Sequence, residues 1–253
     1  MENLGASLGW GAVVGASLLA GAIAAAALRL PPRAAAALTA FGGGVLFAAI
    51  ALELVPEADR EAGVALTAAG LAAGTLVYVA ADAWLSRDQE MDRMRRSGHA
   101  AAAGQPMMMR STDVARGESI AAGLLVDGVP ESVALGLTIA EGEIGVALLA
   151  GVLIGNVVEA YGAAQPIIGG GRTKRFAIGL LGGIGAALAA ATVLGGTTLA
   201  DASGEIIGSA QAVAAGAVLA VITIAIVPHA FEEVSRLAAS ATMLGFLVGY
   251  LLS

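Results

Sequence analysis

Eight apolar stretches divide this chain, and two of them carry carboxylates where a lipid bilayer opposes charge. About 20 mostly apolar residues are enough to cross the hydrocarbon core. The pattern predicts spans at 5–28, 36–57, 62–85, 116–140, 143–169, 174–199, 205–230 and 237–252. The expected fold is therefore an all-α integral membrane protein, with residues 1–253 forming one transmembrane domain. The first stretch follows only Met1 to Leu4, with no basic residues before it, so it reads as a retained span rather than a cleaved leader.

Composition points the same way. The chain is 58% hydrophobic and only 13% charged, with a mean hydropathy of +0.84, which excludes an ordinary soluble domain. Its 36 glycines allow helix backbones to approach closely where lipid removes the hydrophobic drive for association. Cysteine is absent, so disulfides and thiolate metal sites are excluded.

The basic residues sort by side. With eight spans, twelve of the thirteen Lys and Arg fall on one side: Arg29, Arg33, Arg87, Arg93, Arg95, Arg96, Arg110, Arg116, Arg172, Lys174, Arg175 and Arg236. Only Arg60 falls on the other. The positive-inside rule makes the first side cytoplasmic, in the cell membrane, with both termini outside. The stretch 86–115 then reads as a cytoplasmic loop between spans three and four. Its Met107 to Met109 run admits a soft-metal reading, but a solvated loop accounts for it, as for His99.

An internal echo links span two to span seven. Span two ends Glu53-Leu54-Val55-Pro56-Glu57-Ala58, and span seven ends Ile226-Val227-Pro228-His229-Ala230. Small residues precede both, at 42–44 and 214–217. Because the two spans end on opposite sides, spans 1–3 and 6–8 are expected to be inverted repeats around a central pair, a 3+2+3 arrangement.

That central pair holds the chemistry. Asp127 and Glu131 are four residues apart in span four, and Asn156 and Glu159 three apart in span five, so each pair shares a helix face. Pro130 kinks span four and frees a carbonyl. Two facing helices with two oxygen ligands each form a candidate site for a divalent cation. A structural network of protonated or hydrogen-bonded acids is the alternative. No Lys or Arg lies in the middle of any span to neutralise the acids, which favours a cation from solution. Glu53, Glu57, His229, Glu232 and Glu233 gather near span ends beside prolines. They fit either a path-lining relay or ordinary interfacial charge. Asp82 and Gln165 read as structural.

These motifs resemble the ZIP family of divalent-metal transporters over nearly the whole chain. The family's fourth span carries His-Asn-x-Pro-Glu-Gly, where this chain has Asp127-Gly128-Val129-Pro130-Glu131-Ser132. Its fifth carries His-x-x-Pro-Glu or a near relative, where this chain has Asn156-Val157-Val158-Glu159. The span-two ending resembles the family's His-x-x-Pro-Glu-Ala. The resemblance implies eight spans in a 3+2+3 arrangement, outer termini, inward transport and metal ligands at Asp127, Glu131, Asn156 and Glu159. Only Glu131 and Glu159 match outright. Losing imidazole at Asp127 leaves an oxygen-dominated site, which weakens selectivity for zinc against manganese or iron(II) and leaves the nuclearity open.

The expected function is thus transport of divalent metal cations, with zinc, manganese or iron as substrate and no organic cofactor. A degenerate, non-transporting relative that binds or senses metal is the second reading. An enzyme is not expected: the His-Glu-x-x-His pattern, a second mid-span Asp and a phosphate-binding loop are all absent. The expected partners are the bilayer and metal ions, with a homodimer allowed and no nucleic acid. Cysteine placed at Ser203 is expected to react with an impermeant thiol reagent from outside the cell, and cysteine at Ser97 to be protected. The reverse pattern overturns the orientation.

Overall fold

The computed structural model describes residues 2–103, 109–140, 142, 145–198 and 202–253. Among these residues every regular element is helical and no strand occurs. The helices are α1 (Glu2–Ala27), α2 (Pro32–Ala49), α3 (Val55–Ala103), α4 (Met109–Ala140), α5 (Val146–Gly169), α6 (Lys174–Thr198), α7 (Gly204–Val221), α8 (Val227–Val234) and α9 (Arg236–Leu252). A π-turn, Ile50–Leu54, joins α2 to α3, and a second, Ile222–Ile226, joins α7 to α8. Lipid leaves a spanning backbone no solvent partner, and helices satisfy it internally.

Among the described residues six helical runs are long and apolar enough to cross a membrane, which makes the chain a multi-pass membrane protein. One of them, Arg33–Ala83, has 51 residues. Straight, it would reach about 75 Å, more than twice the hydrocarbon thickness. It does not run straight. Gly63 has φ 77° and ψ 157°, conformations that a side chain opposes, and it splits α3 into a short arm, 55–62, and a long arm from 64 onward. The 17-residue α9 is a shorter apolar helix beyond these six. Helix also covers much of 86–115, read from the sequence as a loop: α3 runs on to Ala103 and α4 begins at Met109. That stretch is polar but rich in Ala, Arg and Met, all good helix formers. Met107 and Met108 lie outside the described residues, as does the side chain of His99.

The helices pack as two sets. In the first, α1 lies along α6 and α5, and α4 along α6 and α5. In the second, α3 pairs with α7 and α2 with α9, and the two pairs meet through the π-turns and α8. The sets join where α2 runs beside α5 and α7 beside α4. Helices α4 and α5 are thus the central pair, each touching both sets.

The echo in the sequence has a counterpart at the level of single residues. The π-turns sit at one constant sequence offset, each ending two residues before a proline, Pro56 or Pro228. In each, the N–H after the turn bonds five residues back: Val55 to Ile50, Val227 to Ile222. In that register the next carbonyl, of Ala51 or Thr223, falls to a proline that has no N–H to give. The helix breaks match too. Gly63 corresponds to Ser235, whose φ is 51°.

The close crossings also match. A Cβ at Gly44 would overlap the carbonyl of Thr242 in α9, and one at Gly245 the carbonyl of Phe41. In the other pair, a Cβ at Gly216 would overlap the carbonyl of Leu71, and one at Gly74 that of Val213. Thr75 donates a 3.0 Å hydrogen bond to the Gly216 carbonyl at this crossing. Backbone against backbone is the tightest packing available to helices in lipid.

Gly44→Ala and Gly216→Ala are each expected to destabilise the protein by about 1–3 kcal/mol through overpacking. Gly183→Ala faces open space on α6. It is expected to stabilise by up to about 1 kcal/mol through helix propensity. Thermal unfolding in detergent checks the order.

Candidate metal site and its supports

The site is built on the central pair. On α4, a Cβ at Gly128 would lie 2.5 Å from Leu188 of α6, and one at Gly136 would overlap the Thr192 carbonyl. The 128–132–136 face of α4 therefore looks towards α6. Glu131 stands one residue from that face, about 100° round the helix. It is buried, with 5% of its surface exposed. On α5, Asn156 is 1% exposed and Glu159 is half-buried. Asp127 lies in α4, four residues before Glu131, and its side chain is outside the described part of the structure.

The four expected ligands therefore occupy two helices in contact. Among the described residues, no three His, Cys, Asp or Glu side chains are drawn into one cluster. Two of the buried polar atoms without a described partner lie on this helix pair. The Asn156 side-chain nitrogen and the Ser132 hydroxyl are both buried and make no hydrogen bond among the described residues. A buried unmatched polar atom costs about 1–3 kcal/mol. A half-turn of the Asn156 amide would present its oxygen in place of its nitrogen. Beside it in the chain, a Cβ at buried Gly155 would meet no described atom within 4 Å. Gly128, by contrast, admits an α6 side chain.

Supports hold α5 at both ends. Helix α1 ends without a basic residue in its last turn. Its carbonyls are met from α5 and α6. Gln165 donates to the Ala25 carbonyl at 2.9 Å and to that of Leu28 at 3.1 Å, and Lys174 donates to Ala26 at 2.6 Å. The Tyr161 hydroxyl accepts the Leu30 N–H and donates to the Leu28 carbonyl. Gln165 is structural, as its sequence position implied. Tyr161 was not distinguishable from an interfacial aromatic.

At its other end α5 begins at Gly145, whose conformation starts the helix but whose missing side chain cannot cap it. Glu53, from the first π-turn, takes that role. Its carboxylate accepts the N–H of Ala147 at 3.3 Å and of Leu148 at 3.4 Å. Glu53 is thus tied to a helix start. The other charges near span ends are distributed differently. Glu57 pairs with Arg60 at 2.5 Å, Glu232 and Glu233 are exposed on α8, and the side chain of His229 lies outside the described part. The Glu61 carboxylate lies against Gly204, the first residue of α7.

Compared with protein-family models and with curated proteins, the chain matches none of them.

Proposed function

We propose that this protein transports divalent metal cations across the cell membrane through a path between α4 and α5, as the ZIP-like motifs imply. The observation that carries the reading is the burial of Glu131 beside the central helix contact, with Asn156 buried and unmatched on the facing helix. A carboxylate at bilayer depth costs about 3 kcal/mol on insertion scales, and a cation substrate offsets that cost when it arrives. The substrate is zinc, manganese or iron(II), held by oxygens of Asp127, Glu131, Asn156 and Glu159.

The reading includes eight spans. Breaking the 51-residue run at Gly63 and counting α9 brings six runs to eight, and the constant offset between the α2–α3 and α7–α9 features supports inverted repeats flanking a central pair. Both termini are then outside, and the Glu53 end of α5 faces outward. Alternating access follows if the α1–α4–α5–α6 set moves against the α2–α3–α7–α9 set, since the site lies where the two meet.

Glu131→Gln and Glu159→Gln remove a ligand charge at nearly constant volume. Both variants are expected to fold and to lose uptake of manganese and zinc in proteoliposomes, and wild-type uptake to fall as pH drops, because metal must displace protons from its ligands. Near-normal uptake in both variants removes the pair from the path, and the non-transporting reading then leads.

Selectivity is a separate test. An oxygen site is expected to discriminate weakly among divalent metals, and Asp127→His to raise the preference for zinc by adding a borderline nitrogen ligand. Strong zinc preference in the wild type, unchanged by the substitution, overturns the ligand assignment.

A further inference from the structure

We propose that the Glu53 carboxylate is a latch between the two helix sets, and that the seam between α2 and α5 opens only after it leaves the start of α5. The inference rests on the transport reading, which requires the sets to part. Glu53 belongs to the second set through the π-turn after α2, while Ala147 and Leu148 belong to the first. The bond therefore crosses the boundary along which the sets would separate.

The local chemistry suits a releasable contact. Ala147 and Leu148 are the second and third residues of α5, the positions whose N–H groups have no partner within a helix. A carboxylate there is also favoured by the helix dipole. Both bonds are long, at 3.3 and 3.4 Å, close to the limit at which such a bond still counts. Gly145 makes the approach feasible. Its φ of −60° and ψ of 96° suit any residue, so the glycine is there for space. A Cβ would lie 2.7 Å from the Glu53 Oε2 atom.

The seam leads from this contact to the site. Leu46 of α2 lies over Gly151, where a Cβ would sit 2.8 Å from its Cδ2 atom. Further along, Gly42 faces Ile154 and Gly155, next to Asn156. Glu53 thus closes the far end of a continuous α2–α5 contact whose near end is the candidate metal site. The repeat has no second latch of this kind, because the residue equivalent to Glu53 in the second π-turn is Ala225. Glu61, which lies against Gly204, stays within one set and does not cross the boundary.

The absence of cysteine makes a direct test available. Leu46→Cys places a thiol in the closed seam, where Leu46 is 1% exposed. Leu181→Cys places one in the interior of α6, at a residue 0% exposed, away from the seam. Each is treated in detergent with a water-soluble thiol reagent, with and without Glu53→Gln or Gly145→Ala. Gln keeps one acceptor but turns a donor towards the other N–H. The alanine pushes the carboxylate off by its Cβ.

Either change is expected to speed labelling at position 46 about tenfold, the factor set by losing the net worth of an ordinary hydrogen bond. The combination is expected to add nothing further, because both break one contact. Labelling at 181 stays unchanged. An unaltered rate at 46 in both variants, a full multiplicative effect of the two, or an equal rise at 181 overturns the latch. The reporter needs no transport. Failed uptake with these labelling results therefore counts against the transport reading alone, and normal uptake without them counts against the latch alone.

Discussion

A backbone in lipid has only the protein itself to receive its hydrogen bonds, and the features of this chain follow from where helices must end or break under that constraint. Mid-helix, the bonds are internal. At the end of α1 they are not, and Tyr161, Gln165 and Lys174 reach in to meet its last carbonyls. At the start of α5 the donors are met by Glu53, more than ninety residues away in the chain. Polar side chains that look isolated along the sequence are the completion of somebody else's helix. This also separates the two kinds of acid in the chain. Glu53 has a backbone to serve, whereas Glu131 is buried within α4, next in the chain to Ser132, whose hydroxyl meets no described partner.

The second constraint is contact distance. With no hydrophobic drive between helices in lipid, attraction comes from close packing, and glycine permits the closest. The α2–α9 and α3–α7 crossings use glycine on both partners, with Gly44 and Gly216 at equivalent places. The first set relies on a different mixture. Glycines 15 and 185 meet backbone to backbone between α1 and α6, while Leu188 fills the space over Gly128. Polar ties at the end of α1 then fasten that set together.

Much of this was legible in the sequence, in proportion to how locally it was encoded. The apolar runs marked the helices because hydropathy is a property of each segment alone. The Pro56 and Pro228 echo was visible as letters. The π-turns before them were not, since a wide turn is a register of hydrogen bonds and no residue type specifies it. The break at 63 was placed between 57 and 62, because polar Glu57 to Glu61 looked like the loop while the glycine after them makes the bend. Residues 86–103 are polar enough to resemble a loop, yet their helix propensity is high and they are helical. Glu53 could be seen as an acid near a proline, but its partner beside Gly145 is distant in sequence and carries no motif. The central quartet is legible as spacing alone, while the burial of Glu131 and Asn156 and the unmatched Ser132 hydroxyl belong to packing that spacing does not encode.

The bends at Gly63 and Ser235 have a mechanical consequence. Each turns a helix with a single residue, with no loop between the arms. A joint of one residue has no spare contour length. The arms on either side cannot slide past each other, and a force on one is delivered to the other as by a lever. Both joints lie in the second set of helices, so each couples two arms of that set directly.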